Sequence, residues 1–340
     1  SNQQQQQPAT TATSNNRRSV NMADLSNMDP QTRAIVDLMA SQEGKALADT
    51  TPAEFREVYR GASEMMDGTD IEIDSTEQRS IPGPAGDIEV RIYRPKTTET
   101  GPLPLLVFYH GGGWVIGDLD THDAACRHLC GDAGIIVMAV DYRLAPEHPF
   151  PAAVIDAIAA ASWAGENAAQ IGADSNKIAV GGDSAGGNLA AVVARHMRDS
   201  GGVKLCYQML WYPGVGQMPG PSANSMVEFA EGFNLEKQTM DWFEMHYGNG
   251  QDITGEPQYA IVRATDCGDL PPALLLTAGY DPLQDDGQLY GRNMAAAGVA
   301  VDFIHYGSTV HGFLTMGRAI PVAVEALNYS AARLREAFAN

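Results

Sequence analysis

The chain has 340 residues, 44% of them hydrophobic, enough for one large α/β domain with insertions or for two ordinary domains. Its 42 acidic residues against 22 basic ones give a formal net charge of −20, which repels phosphate backbones and anionic lipid surfaces and excludes nucleic acid as an expected partner. No apolar run reaches the ~18 residues of a membrane span and the amino-terminal stretch lacks an apolar signal core, so the cytoplasm is the expected compartment.

Residues 1–21 (SNQQQQQPATTATSNNRRSVN) are polar and of low complexity, the composition of a disordered leader, and Met22 is a candidate natural start. From Asp24 to Gly61, Leu25, Ile35, Leu38, Leu47, Phe55 and Tyr59 recur at loosely helical spacing, punctuated by Pro30 and Pro52; two helices are expected across 22–61. Extended stretches at 71–81 and 87–93 follow, the second alternating Ile88, Val90 and Ile92, as in an antiparallel hairpin. After Pro104 the pattern repeats: strand 105–109, helix 121–132, strand 135–140, helix 152–169, strand 177–182, helix 185–199 and strand 205–211. Alternating strands and helices mean a mostly parallel sheet covered on both faces.

Residues 213–256 break that rhythm with Pro213, Gly214, Gly216, Pro219, Gly220 and Pro221, then a helical stretch holding Met240, Trp242, Phe243 and Met245, and read as an insertion. The alternation resumes with strand 273–278, helix 285–297, strand 300–306 and a terminal helix near 320–338. The sheet domain is therefore expected to span 62–212 and 257–340. The four cysteines, at 126, 130, 206 and 267, form no CxxC pair and read as small buried hydrophobes. His122, Cys126 and Cys130 share a helical face that could hold a metal, but nothing supplies a matching second cluster, so no metal is expected. Lysine occurs only at 45, 96, 177, 204 and 237, so the acidic surplus is not balanced by a mixed-sign surface. Salt adaptation and plain solubility both account for that surplus.

Gly182-Asp183-Ser184-Ala185-Gly186 matches G-x-S-x-G between the β-like run Ile178–Val180 and the helix-forming run 189–194, the strand–turn–helix context that the motif requires. The competing reading, a phosphate-binding loop, fails on spacing because neither G-x-x-x-x-G-K-[ST] nor G-x-G-x-x-G is present here. His110-Gly111-Gly112-Gly113-Trp114 directly follows a strand and presents bare backbone N–H groups at its end. Acyl transfer builds negative charge on a carbonyl oxygen, so Gly112, Gly113 and Ala185 are the candidate oxyanion donors. Asp281 and His311 each follow a strand, and in an open α/β sheet such loops share one edge with Ser184. The expected roles are Ser184 as nucleophile, His311 as general base and Asp281 as the carboxylate that orients it. Asp285 and Asp286 are rivals for the acid; His110 is expected to brace the glycine loop and His148 to be structural.

HGGGW at 110–114, DYRLAPEHPFPAA at 141–153, GDSAGG at 182–187, DPLQDD at 281–286 and HGF at 311–313 together resemble the hormone-sensitive-lipase family of esterases, over roughly residues 85–340. The resemblance implies an α/β-hydrolase fold with a helical cap built from the amino-terminal helices and the 213–256 insertion. It also implies hydrolysis of small-molecule carboxylic esters without a cofactor, and pairing through sheet edges into a homodimer. Asp141, Arg143 and Glu147 match the family's loop, and the expectation is that they order the floor of the site by ion pairing. Met218, Met226, Phe229, Phe233, Trp242 and Phe243 divide between lining a substrate pocket and packing cap on core. Two other readings keep the scaffold. One changes the bond to an amide or lactone; the other is a binding protein like the plant gibberellin receptors, which resemble this family but lack a complete triad.

Overall fold

The computed structural model describes residues 23–41, 45–68 and 71–339; the expected leader at 1–21 lies outside them. Eight strands form one sheet: β1 (Ser75–Gly83), β2 (Gly86–Arg94), β3 (Leu103–Tyr109), β4 (Ile136–Asp141), β5 (Ala173–Asp183), β6 (Leu205–Trp211), β7 (Ala273–Tyr280) and β8 (Val301–Val310). Their spatial order is β1-β2-β4-β3-β5-β6-β7-β8. The β1–β2 and β2–β4 pairs are antiparallel and the remaining five are parallel. The inner strands β3, β4, β6 and β7 read as near-continuous apolar runs because they are buried on both faces, whereas the edge strand β8 is half-buried over most of its length. In β3, Leu105, Val107 and Tyr109 enter one core layer while Leu106 and Phe108 enter the other, as the two-residue period of a strand dictates.

Helices cover both faces. α4 (Ala152–Asn167), α5 (Ala185–Ser200) and α8 (Gln284–Ala296) contribute Ala157, Leu189 and Tyr290 to the first layer. α3 (Asp123–Ala133) and α9 (Pro321–Ala339) contribute Leu129 and Leu327 to the second. Cys126 and Cys130 sit in that second layer as buried thiols, while His122 turns instead to a carboxylate beneath the sheet edge.

Two further groups of helices lie over the carboxyl ends of the strands. α1 (Pro30–Ser41) and α2 (Pro52–Met66) come from the amino-terminal segment, and α6 (Asn224–Glu228) and α7 (Lys237–Tyr247) from the insertion. α2 begins where the sequence says it should: the Thr51 side chain accepts from the Glu54 N–H, the Glu54 carboxylate accepts from the Thr51 N–H, and Pro52 opens the first turn. Phe55 of α2 stacks on Phe243 of α7, with centroids 5.9 Å apart and planes at 11°. Arg56 of α2 donates to the Val115 and Ala145 carbonyls at 2.8 and 2.9 Å and pairs with Glu147 at 2.7 Å.

The first strand starts at Ser75 rather than 71, and β8 runs to Val310 rather than 306. Gly307-Ser308-Thr309 looks like a turn in sequence, yet a register shift after Ala278 lets Val310 pair with Tyr280 and carries the strand to His311. Where β6 and α9 meet, the Trp211 indole N–H donates to the Ser330 hydroxyl at 3.0 Å, both fully buried. Ser330→Ala strands that donor in an apolar layer and is expected to cost about 1–3 kcal/mol. The cost should appear as a lower urea midpoint at constant m-value; an unchanged midpoint would refute it.

Candidate active site

Ser184 stands between β5 and α5 with φ 54° and ψ −116°, a strained backbone for a residue with a side chain. Its N–H donates to the Trp211 carbonyl and its C=O accepts from Gly214, both at 2.9 Å, so neighbouring loops hold the turn from each side. A methyl at Gly186 would overlap the Tyr109 carbonyl, so the serine can occupy this turn only if α5 starts against bare backbone. Half-exposed Ser184 is the one outward-facing member of the otherwise buried 182–187 run.

His311 follows the end of β8 and Asp281 the end of β7. His311 Nε2 lies 2.9 Å from Ser184 Oγ, and His311 Nδ1 lies 2.7 Å from Asp281 Oδ2. Asp281 is fully buried, and its other oxygen accepts from the Leu283 N–H at 2.8 Å. The His311 ring rests 4.8 Å from that of Tyr212, and its carbonyl accepts from Asn234 at 2.8 Å. Such a chain can pass a proton from hydroxyl to imidazole while the carboxylate fixes the tautomer.

Gly112 and Gly113 have φ of 117° and 58°, the left-handed region, and both line the space above Ser184. A methyl at Gly113 would strike the Phe243 ring. Ala185 is the first residue of α5, where an N–H has no acceptor within its own helix. All three expected oxyanion residues therefore border the nucleophile.

The rival acids lie apart from His311. Asp285 accepts from the Ser225 N–H at 3.0 Å, tying α6 to α8. Asp286 is buried, one of its oxygens has no partner among the described residues, and burial pushes its carboxyl up to about 6. Arg143 pairs with Asp156 of α4 at 2.8 Å and Glu147 with Arg56 of α2, while Asp141 makes no ion pair among the described residues. The expected ionic floor is thus assembled from partners on two helices rather than within the loop. His148 is exposed and its backbone N–H bonds the Leu144 carbonyl. The His110 ring stacks 4.3 Å from Tyr142 and reaches the Gly111 carbonyl at 2.7 Å, a brace of the expected kind.

Two cavities meet at Ser184. One, of about 340 Å³, is walled by Trp114, Met218, Tyr259 and Leu283. The other, of about 160 Å³, is walled by Met39, Phe55 and Met66 and includes His311. Gly113, Leu235 and Phe243 border both. Of the six apolar insertion residues singled out from sequence, Met218 and Phe243 line cavity space; Met226, Phe229, Phe233 and Trp242 pack in the core or against other rings. The walls supplied by α1 and α2 were not read from sequence, because loose helical periodicity does not tell which apolar face meets substrate.

The family model described as the alpha/beta hydrolase fold matches residues 106–315. This chain belongs to that family. Among related α/β hydrolases, the carboxylic ester hydrolase LipN of Mycobacterium tuberculosis is 46% identical over 307 residues, covering 88% of this chain and 80% of LipN. The ethyl acetate hydrolase of Pseudomonas putida is 33% identical, covering 88% of this chain and 96% of that protein. A solved ester hydrolase from the metagenome of Lake Arreo, complexed with a bipyridine phosphonate derivative, superposes with a TM-score of 0.87 at 39% identity, covering 92% and 100% of the two chains. No helix among the described residues of this α/β hydrolase is long and apolar enough to cross a membrane.

Because Asp286 titrates high when folded, it contributes stability below about pH 4 that is lost as pH rises through about 6. Asp286→Asn keeps the shape without the charge. It is expected to leave stability unchanged at pH 4 and raise it by about 1–3 kcal/mol at pH 8, measured by chemical denaturation at both pH values; equal effects at both would contradict the buried-charge account.

Proposed function

We propose that this α/β hydrolase is a serine carboxylesterase of the hormone-sensitive-lipase-like group, hydrolysing short- to medium-chain acyl esters through an acyl-enzyme on Ser184. The observation that carries the reading is the hydrogen-bonded chain Asp281–His311–Ser184 opening onto two cavities. Its relatives named as esterases support the reaction class. His311 takes the Ser184 proton as Oγ attacks the ester carbonyl, and the oxyanion is held by the N–H groups of Gly112, Gly113 and Ala185. The alcohol leaves with the proton from His311; water then attacks the acyl-enzyme with the same histidine as base, and Asp281 stabilises the imidazolium throughout.

The proton donor must reach the leaving oxygen, and His311 borders only the smaller cavity, which favours that cavity for the alcohol. The larger one is left for the acyl chain, with Met218 and Leu283 as apolar walls. The helices of 22–61 and the 213–256 insertion act as a cap in this reading, excluding water and supplying most of the larger cavity's wall and part of the smaller one's. An amide or lactone substrate keeps every step; a pure binding role would leave the aligned serine, histidine and aspartate without a use.

The reading is tested with p-nitrophenyl acetate, butyrate, octanoate and palmitate, set beside a p-nitroanilide, and with fluorophosphonate labelling. The expectation is rapid turnover of the shorter esters, little of the palmitate or anilide, and stoichiometric labelling, with Ser184→Ala lowering kcat by about 10⁴-fold or more. A folded wild type that neither turns over nor labels would point to ligand binding instead. Asp281→Asn is expected to lower kcat by about 10³–10⁴-fold with little change in KM; a loss under tenfold would reassign the acid.

A further inference from the structure

Behind the glycine loop lies a second carboxylate–imidazole pair, Asp183 of the 182–187 motif with His122, which the proton relay does not use. Asp183 and His122 are both nearly fully buried, with His122 Nε2 3.0 Å from Asp183 Oδ1. The same oxygen accepts from the Gly111 N–H at 2.7 Å, and the carboxylate packs so closely that a methyl at Gly111 would collide with it. Asp183 is the residue before Ser184, so this one carboxylate ties the nucleophile's turn to the loop that carries Gly112 and Gly113.

The hydrogens around His122 can be counted. Thr121 Oγ1 lies 2.9 Å from His122 Nδ1, accepts from the Asp118 N–H at 3.0 Å and donates its single hydrogen to the Asp118 carbonyl at 2.9 Å. Nδ1 must then be a donor to Thr121. Nε2 lies 3.0 Å from the Asp183 carboxylate, which can only accept, and 3.3 Å from the Gly111 nitrogen, whose shorter bond at 2.7 Å goes to that same carboxylate oxygen; Nε2 is therefore a donor too. A neutral imidazole would leave either Nε2 lone-pair to lone-pair with Asp183, or the Thr121 and Asp118 oxygens facing each other without a hydrogen.

We propose that His122 is held as an imidazolium and acts as a positioning residue, keeping Asp183 ionised so that its bond to the Gly111 N–H fixes the oxyanion donors Gly112 and Gly113. The proposal rests on the esterase reading for the role of those donors. Burial opposes the charged ring, but the carboxylates of Asp183, Asp67 and Asp118 outweigh it and hold its pKa above the usual value. Asp118 is itself paired with Arg60, and His110, Tyr59, Tyr142, Tyr212, Asp123 and the Cys126 thiol are further titratable groups around the cluster. Without the imidazolium, Asp183 is a buried carboxylate with no counter-ion; it takes up a proton, becomes a poor acceptor, and releases Gly111.

The test is His122→Asn, with kcat expressed per serine titrated by fluorophosphonate. For p-nitrophenyl butyrate, kcat is expected to fall about 10–100-fold with KM within twofold. The Ki of a trifluoromethyl ketone, which forms an oxyanion on Ser184, should weaken by the same factor as kcat/KM, and the acid limb of the rate profile should move to higher pH as Asp183 needs a more alkaline medium to ionise. Unchanged kcat per site and unchanged Ki, even with a lower Tm, would make the pair a packing brace and overturn the proposal. If His122→Asn does not fold, Thr121→Val removes the Nδ1 partner together with the two Asp118 backbone bonds that Thr121 Oγ1 makes; a parallel, smaller loss in kcat and Ki supports the role, and no loss overturns it. Independently, ¹⁵N shifts of labelled histidine near pH 7.5 should show both His122 nitrogens protonated, and a neutral tautomer would refute the imidazolium. An inactive, unlabelled wild type would overturn the oxyanion role through the esterase reading itself, an outcome distinct from an active wild type beside an unaffected variant.

Discussion

Everything at this site depends on how tightly α5 can start against β5. Ser184 is presented in a left-handed, strained conformation only because Gly182 and Gly186 let strand, turn and helix close onto the Tyr109 carbonyl. That closeness also sets the reach of the other loops. β7 and β8 deliver Asp281 and His311 to distances of 2.7 and 2.9 Å along the chain to the serine, without any residue between them. Relaxing the turn by one methyl would move the hydroxyl relative to both the imidazole and the glycine loop, and at a site of this kind a misplacement of about 1 Å is worth roughly 10²-fold in rate.

The strain is offset by a stiff surround. Tyr142 donates to the His110 carbonyl at 2.7 Å, Asn188 of α5 donates to the Gly214 and Tyr259 carbonyls at 2.8 and 2.9 Å, and Asn234 holds the His311 carbonyl. Buried polar groups are expensive unless satisfied, and here they are spent on fixing backbone next to the reacting groups rather than on general stability. The apolar layers on the two sides of the sheet carry that stability.

The sheet and the site geometry were legible in sequence for the same reason: both rest on local patterns. Apolar runs such as 105–109 and glycine spacings such as 182–186 have one physical solution each, and the strand ends then bring Ser184, Asp281 and His311 to one edge. What was not legible depended on pairing across long sequence separations. Arg143 finds Asp156, and Glu147 finds Arg56 from a helix 91 residues earlier. His122 looked like one member of a possible cysteine face because the helical period is visible in the sequence, whereas the carboxylate it meets, on β5, is not. The end of β8 was read short because a register shift carries a Gly-Ser-Thr stretch through the ladder. Phe229 and Phe233, which the sequence leaves open between lining a pocket and packing cap on core, pack against Tyr280 in a separate cluster.

Phe243 divides the two cavities and leans on Phe55, a residue more than fifty positions before the start of the region that matches the family. The amino-terminal helices are therefore a remote adjusting screw. Changes in a segment that carries none of the family's motifs can tilt one aromatic ring and redistribute space between the two halves of a bound molecule, while the sheet and the reacting groups stay as they are. Selectivity in such a chain can drift by replacement of its leading helices alone, which gives diversification a route that does not pass through the motifs by which the family is recognised.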